Sequence, residues 1–335
     1  MRSLVTGAAG FIGSHVVRAL LAAGDEVRAL VRDSEPPPSL RLLPVDVVRG
    51  DVRDPVAVAA AVRGCDRVFH VAARYALWAP RSDEMRDINV GGTRTVLAAS
   101  QAAGVSVVVH TSSVAALAVP HRGEVADEAT PVDARRIVGA YKRSKYEAEA
   151  VTEEFVRAGL RVVIVNPSFP VGPGDAKPTP TGQVLVDFLC GRMPAYVDTG
   201  MNVVSVRDVA QGHVLAAEKG RTGERYILGG VNLTMREFLE ILARVSGRTA
   251  PRLRLPIAPL MVAAAWNEGA SRLRGSTPRL TLDTVRMARH LMFYNPAKAV
   301  RELGLPQTPI EDVLREAVEW YRDHGYAPGR ATSPV

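Results

Sequence analysis

The chain has 335 residues, 47% hydrophobic and 23% charged, enough to bury a large core shared between two unequal lobes. Its net charge of +7 is carried mainly by arginines scattered without a basic run or stacking motif, which argues against a nucleic-acid partner. Two cysteines, Cys65 and Cys190, make neither a CxxC nor a disulfide framework, so a reducing, cytoplasmic setting is expected; the seven histidines lack ligand spacing, so no metal is expected.

The first strand begins almost at Met1, with no charged-then-apolar leader before it. "SLVTGAAGFIGSHVVRALLAAGD" then reads strand, glycine turn, helix, with Val16, Leu20 and Ala23 on one helical face and Gly24 as a left-handed stop. Gly7, Gly10 and Gly13 are spaced GxxGxxG. The first permits a tight turn, the second lets a pyrophosphate approach the backbone, and the third lets helix pack on strand. The helix N-terminus offers unpaired N–H groups and a partial positive charge to phosphates. A dinucleotide site is expected here, with Phe11 and Ile12 among its residues.

"EVRALV" follows as a second strand and "VVRGDV" leads into a third. Where the second strand ends, Arg32 precedes Asp33. Arg suits the 2′-phosphate of NADP and an acid the ribose hydroxyl of NAD; the strand tip falls at Val31-Arg32, so NADP is favoured, with NAD the runner-up. "RVFHVAA", "SVVVHTSS" and "RVVIVNP" are further apolar runs separated by helical stretches. Uninterrupted strands alternating with helices predict a doubly wound, Rossmann-type α/β fold with a parallel sheet covered on both faces.

From about Phe169 the alternation stops, and Pro170, Pro173, Pro178 and Pro180 mark irregular loops. The expected division is a dinucleotide-binding domain over 1–168 and a smaller, mainly helical substrate lobe over 169–330. "NVVSV" and "RYILGG", within 203–230, are expected to return to the sheet. "LPIAPLMVAAAW", residues 255–266, is too short to span a bilayer. It reads as a buried helix of the lobe or as contact with a greasy ligand or membrane surface.

"GAYKRSKYEAEA" places Tyr141 four residues before Lys145, on one face of a helix. The pattern is cheap, and it recurs at Tyr294 and Lys298, where Asn295-Pro296 interrupts helix geometry. An ammonium beside a phenol would favour the phenolate and bring its pKa toward working pH.

"TGAAGFIG", "HVAA", "NVGGT", "HTSSVA" and "YKRSK", in this order and spacing, resemble the extended short-chain dehydrogenases/reductases over nearly the whole chain. "VRALVRD" looks like their dihydroflavonol reductase branch, and "KPTPTGQVLVDFLCGRMPAYVDTG" resembles the bacterial hopanoid-associated sugar epimerases. The resemblance implies that Ser113 bonds the substrate oxygen, Tyr141 is the general acid/base, and Lys145 is the cation beside it that reaches the nicotinamide ribose. It implies that Asp51 and Val52 flank the adenine, that Ala72 and Ala73 line the cofactor groove with Asn166, and that Asn89 is a backbone brace.

Two reactions share that machinery. A reductase or dehydrogenase releases the altered cofactor; an epimerase keeps it and returns the hydride to the other face. Met201 and Asn202 stand where nucleotide-sugar members carry an Arg for the diphosphate, and Asn166 and Val171 replace the Arg and Tyr of "RPxxVYGP". This leans toward an NADP-dependent oxidoreductase acting on a small-molecule carbonyl or secondary alcohol. A nucleoside-diphosphate-sugar epimerase is the alternative, and a non-catalytic dinucleotide-sensing protein the third reading. Tyr75, Trp78, Phe169, Phe188 and Tyr196 are candidates for an apolar substrate wall, or else core aromatics. Helices around Gln101 and Tyr146 are candidates for a homodimer interface.

Overall fold

The computed structural model describes residues 1–32, 38–75, 82–120, 123–137, 139–274 and 281–328. Trp78 and Asp33 lie outside these described residues. Seven parallel strands form the central sheet: β1 (Arg2–Thr6), β2 (Glu26–Val31), β3 (Val45–Arg49), β4 (Arg67–His70), β5 (Val107–Thr111), β6 (Val162–Pro167) and, from later in the chain, β10 (Arg225–Leu228). Their order is β10-β6-β5-β4-β1-β2-β3. The winding direction reverses between β1 and β4, so a crevice opens beyond the carboxyl ends of these two strands.

The apolar runs make strands because both faces are covered. On one face α1 (Phe11–Ala22), α7 (Val206–Lys219) and α11 (Ala297–Leu303) pack Val16, Leu20, Val209, Val214 and Leu303 against Val5 and Val109. On the other, α2 (Pro55–Val62), α4 (Gly92–Ala103) and α5 (Ala140–Arg157) pack Val58, Val96, Leu97 and Val151 against Leu4 and Val108. A five-residue helix, α3 (Ser82–Arg86), leads through a wide π-turn into α4.

The remainder builds a lobe around a four-stranded sheet of β7 (Phe169–Val171), β9 (Gly200–Ser205), β11 (Val231–Thr234) and β13 (Leu291–Met292). Helices α6 (Pro180–Leu189), α8 (Met235–Ser246) and α12 (Ile310–Asp323) enclose its core, including Leu185, Phe238, Leu242 and Leu314. β8 (Ala195–Val197) and β12 (Leu253–Leu255) form a separate pair, followed by α9 (Ile257–Arg274) and α10 (Leu282–Met287).

Two sequence expectations are corrected here. "RYILGG" returns to the central sheet as β10, but "NVVSV" does not: it lies in β9, in the lobe sheet. The alternation of this strand explains why, since Val204 faces the core shared with α1 and α7 while Met201 and Val203 face the lobe core. Helix α9 is largely exposed, with Val262 at 72% and Trp266 at 81%; only Ala264 is fully buried in its first three turns. Its composition is that of a core helix, but its side chains are mostly not turned inward.

Candidate active site

The turn after β1 is built on close backbone approach. Gly7 has φ +68°, a left-handed value, and a Cβ there would lie 2.7 Å from both Cα and N of Ala72. A Cβ on Gly13 would run into the Gly7 carbonyl, so helix α1 sits directly on the turn. Gly10 caps α1 without a side chain, and its N–H donates to the Gly7 carbonyl at 2.9 Å. The first turn of α1 holds no acidic residue. Its unpaired N–H groups and positive dipole end face outward beside an exposed Gly10, and these features fit a dinucleotide pyrophosphate. Phe11 and Ile12, half-buried, flank this end.

The other expected cofactor residues are placed unevenly. Arg32 is exposed at the tip of β2. Asp51 is ion-paired to Arg53 at 2.7 Å, which holds its carboxyl below the usual range, and Arg32 adds to that pull from farther away. Val52 is 7% exposed and packs beneath Gly92, so its side chain belongs to the core. Ala72 is half-buried and Ala73 exposed, and the Ala72 N–H donates to Thr6 Oγ1 at 3.2 Å.

Ser113 lies just beyond β5, where its Oγ accepts the Ala115 N–H at 3.1 Å and its hydroxyl is near enough to act on the Tyr141 phenol. Burial pushes the Tyr141 hydroxyl up to about 12, against the opposing pull of the nearby Ser113 hydroxyl. The Tyr75 ring, 40% exposed, leans on Tyr141 with centroids 4.5 Å apart. Lys145 is 3% exposed, and its Nζ donates to the Thr111 carbonyl at 2.8 Å. Burial lowers it to about 8, with the nearby Glu149 carboxylate pulling it back up. The i,i+4 spacing therefore brings Tyr141 and Lys145 to one end of β5, but in this state the ammonium serves Thr111, and burial dominates the phenol.

Asn166 lies at the end of β6. It is fully buried, its Nδ2 donates to the Ser113 carbonyl at 3.0 Å and to Glu149 Oε1 at 2.8 Å, and its Oδ1 is buried without a hydrogen-bond partner. Glu149, 3% exposed in its side chain, also accepts from Arg225 Nε at 2.7 Å. This brace was missed from the sequence, although Glu149 stands four residues after Lys145 on the same helix face. Asn89 bonds the backbone of Arg74 in both directions, at 2.7 and 3.1 Å, and donates to Ser144 Oγ at 2.9 Å.

The aromatic candidates divide. Phe188 is 3% exposed within the lobe core, and Phe169 packs edge-on against Phe238 at 6.0 Å. Phe188 is thereby corrected from substrate wall to core. Tyr196 lines a shallow cavity with Arg236, Glu240 and Arg252, none of them a residue of the Ser113–Tyr141 end. Met201 and Asn202 are 6% and 1% exposed. The Asn202 amide is committed to Gly230, Asn232 and the Tyr294 carbonyl. Tyr294 is itself fully buried, and Lys298 pairs with Glu224, so that second Tyr–Lys spacing is structural.

Residues 3–229 match the NAD dependent epimerase/dehydratase family. The chain is 45% identical over 327 residues to a protein of Synechocystis sp. named as a dihydroflavonol 4-reductase, covering 96% of this chain and 95% of that one. It is 36% identical over 328 residues to sterol demethylase protein B of Methylococcus capsulatus, covering 97% and 99%. Among solved structures it superimposes on PA4631, a nucleoside-diphosphate-sugar epimerase from Pseudomonas aeruginosa, with a TM-score of 0.80 at 28% identity, covering 98% of this chain and 99% of that one. The chain belongs to the NAD dependent epimerase/dehydratase family, the extended short-chain dehydrogenases/reductases, and is an NAD(P)-dependent enzyme. No helix among the described residues is long and apolar enough to cross a membrane.

Proposed function

We propose that this enzyme transfers hydride between NADP(H) and the carbonyl or secondary alcohol carbon of a small, apolar or cyclic substrate, and releases the cofactor after a net redox step. The observation that carries the reading is the hydroxyl pair Ser113–Tyr141 at the carboxyl end of β5, with the Tyr75 ring against it. In this reading the Ser113 hydroxyl orients the substrate oxygen and Tyr141 moves its proton. A phenol pushed up to about 12 is protonated at neutral pH, so Tyr141 stands ready as the acid of carbonyl reduction. A bound nicotinamide would supply the hydride. Lys145, freed from Thr111, would hold the ribose, and Glu149 helps keep it charged. The uncapped end of α1 takes the pyrophosphate, and Arg32 takes a 2′-phosphate by a charge-assisted contact.

Net redox is favoured over epimerisation because Met201 and Asn202 are buried in the lobe and offer a diphosphate no cation. Arg207, which could approach from another side, is paired with Glu316 at 2.9 Å. The relative named as a dihydroflavonol 4-reductase supports the same choice, and an epimerase among the similar solved structures keeps the alternative in view.

The test is incubation with NADPH and a carbonyl panel beside nucleotide sugars, following cofactor absorbance and product mass together, with a separate titration by UDP. Loss of NADPH matched by a reduced product is expected. Micromolar UDP affinity with an isomerised sugar and no net cofactor change would replace this reading with the epimerase. Turnover of either kind excludes a purely cofactor-sensing role.

A further inference from the structure

The turn that opens the cofactor site and the helix that carries Tyr141 are joined by a buried line of hydrogen bonds, and the residue at its centre has no part in the chemistry above. His70 ends β4 and is 1% exposed. Its Nδ1 lies 2.8 Å from Thr6 Oγ1, and its Nε2 lies 3.0 Å from Thr93 Oγ1.

The proton positions follow from the partners. Thr93 Oγ1 donates to the Asn89 carbonyl at 2.6 Å, so only its lone pairs remain for His70, and Nε2 must carry the ring hydrogen. Nδ1 is then an acceptor, and the Thr6 hydroxyl donates to it. Thr6 Oγ1 in turn accepts the Ala72 N–H at 3.2 Å. Burial, with the Lys145 ammonium nearby, pushes the ring down to about 3, so it carries a single hydrogen at neutral pH. The line therefore has one direction: Ala72 to Thr6, Thr6 to His70, His70 to Thr93, Thr93 to Asn89. From Asn89 the side-chain amide continues to Ser144 Oγ at 2.9 Å, and that hydroxyl donates to the Tyr141 carbonyl at 2.8 Å.

We propose that His70, held as the neutral Nε2–H tautomer, is a positioning residue that keeps the cofactor turn and the catalytic helix at a set separation. Its Nδ1 edge holds Thr6 and, through it, the Ala72 backbone against which Gly7 packs. Its Nε2 edge holds Thr93 and Asn89, and through Ser144 the start of α5. An apolar side chain could fill the space but would leave two buried hydroxyls without a partner on one side. The inference rests on the reading that the glycine turn and Tyr141 serve one dinucleotide-dependent reaction.

The two edges can be cut separately. His70→Gln sets an amide nitrogen near the Nε2 position, keeping the donor to Thr93 and losing the acceptor for Thr6. His70→Asn keeps an acceptor near Nδ1 and loses the donor to Thr93. Thr6→Val and Thr93→Val cut these bonds from the far side, together with the Ala72 and Asn89 bonds next in line, and stand in if a His70 variant does not fold. Three quantities are read: NADPH affinity by nicotinamide fluorescence, deuterium uptake of residues 139–148, and kcat at saturating NADPH. His70→Gln and Thr6→Val should weaken NADPH roughly tenfold, the scale of one lost buried hydrogen bond, with uptake over 139–148 unchanged. His70→Asn and Thr93→Val should raise that uptake and lower kcat roughly tenfold, with NADPH affinity unchanged. The same profile from both pairs, or a common loss of thermal stability with affinity and uptake at wild-type values, overturns the proposal. Affinity and uptake need no carbonyl substrate, so a wild-type enzyme that reduces nothing would sink the oxidoreductase reading alone.

Discussion

Replacing Gly7 with Ala probes the proposed cofactor turn at its tightest point. The cost has two parts. At φ +68° an alanine pays the left-handed penalty, about 1–2 kcal/mol. Its Cβ would also fall 2.7 Å from Cα and N of Ala72, backbone atoms that cannot rotate aside, which adds about 1–3 kcal/mol of overpacking. Gly24→Ala is the internal control: φ there is +83° with nothing within 4 Å of the new Cβ, so only the first part applies, about 1–2 kcal/mol. Urea unfolding should therefore place Gly7→Ala below Gly24→Ala by about 1–3 kcal/mol. Relief of the clash moves the turn away from Ala72 and the α1 N-terminus with it, so nicotinamide fluorescence should report at least about tenfold weaker NADP(H), the scale of one charge-assisted contact. Gly24→Ala should bind as wild type. If Gly7→Ala is no less stable than the control and binds the cofactor normally, the steric account of the glycine turn is wrong.

Tyr141→Phe should lose on the order of 10²–10⁴-fold in turnover while NADP(H) affinity holds; near-normal turnover would remove Tyr141 from the chemistry. Lys298→Ala breaks a part-buried pair with Glu224 and a contact over the Tyr226 ring, so it should lower the melting temperature and leave kcat unaltered. Arg32→Ala should weaken NADP(H) by about 10- to 150-fold with NAD(H) little changed, as titration of both cofactors would show; equal losses contradict the 2′-phosphate role. His70 and His213 are buried neutral rings pushed down to about 3 and about 4. Above pH 6.5 both states are neutral, but below it the unfolded chain takes up protons that the folded one refuses, so stability falls as pH falls. Each ring should cost about 1.4 kcal/mol per pH unit between 6.5 and its folded value, and urea midpoints independent of pH from 7 to 5 would refute it.

The glycine spacing, the apolar runs and the Tyr141–Lys145 pair were legible because each depends on residues a few positions apart. Sterics at a turn, a strand period of two and a helical face are local properties, so they named the sheet, the glycine turn after β1 and the helix face that carries Tyr141 and Lys145. "RYILGG" and "NVVSV" look alike at that range, and only packing sends one to the central sheet and the other to β9. The same holds for Phe188, which is apolar whether it lines a cleft or fills a core, and for α9, whose composition says nothing of which way its face turns. Asn166 stands in the family motif, but its partners Glu149 and Ser113 come from other elements. His70 reaches Thr6 across 64 positions and Thr93 across 23. The direction of that line of hydrogen bonds depends on which partner already holds a proton, and no linear pattern carries this, because it arises only when the sheet brings those strands and helices side by side.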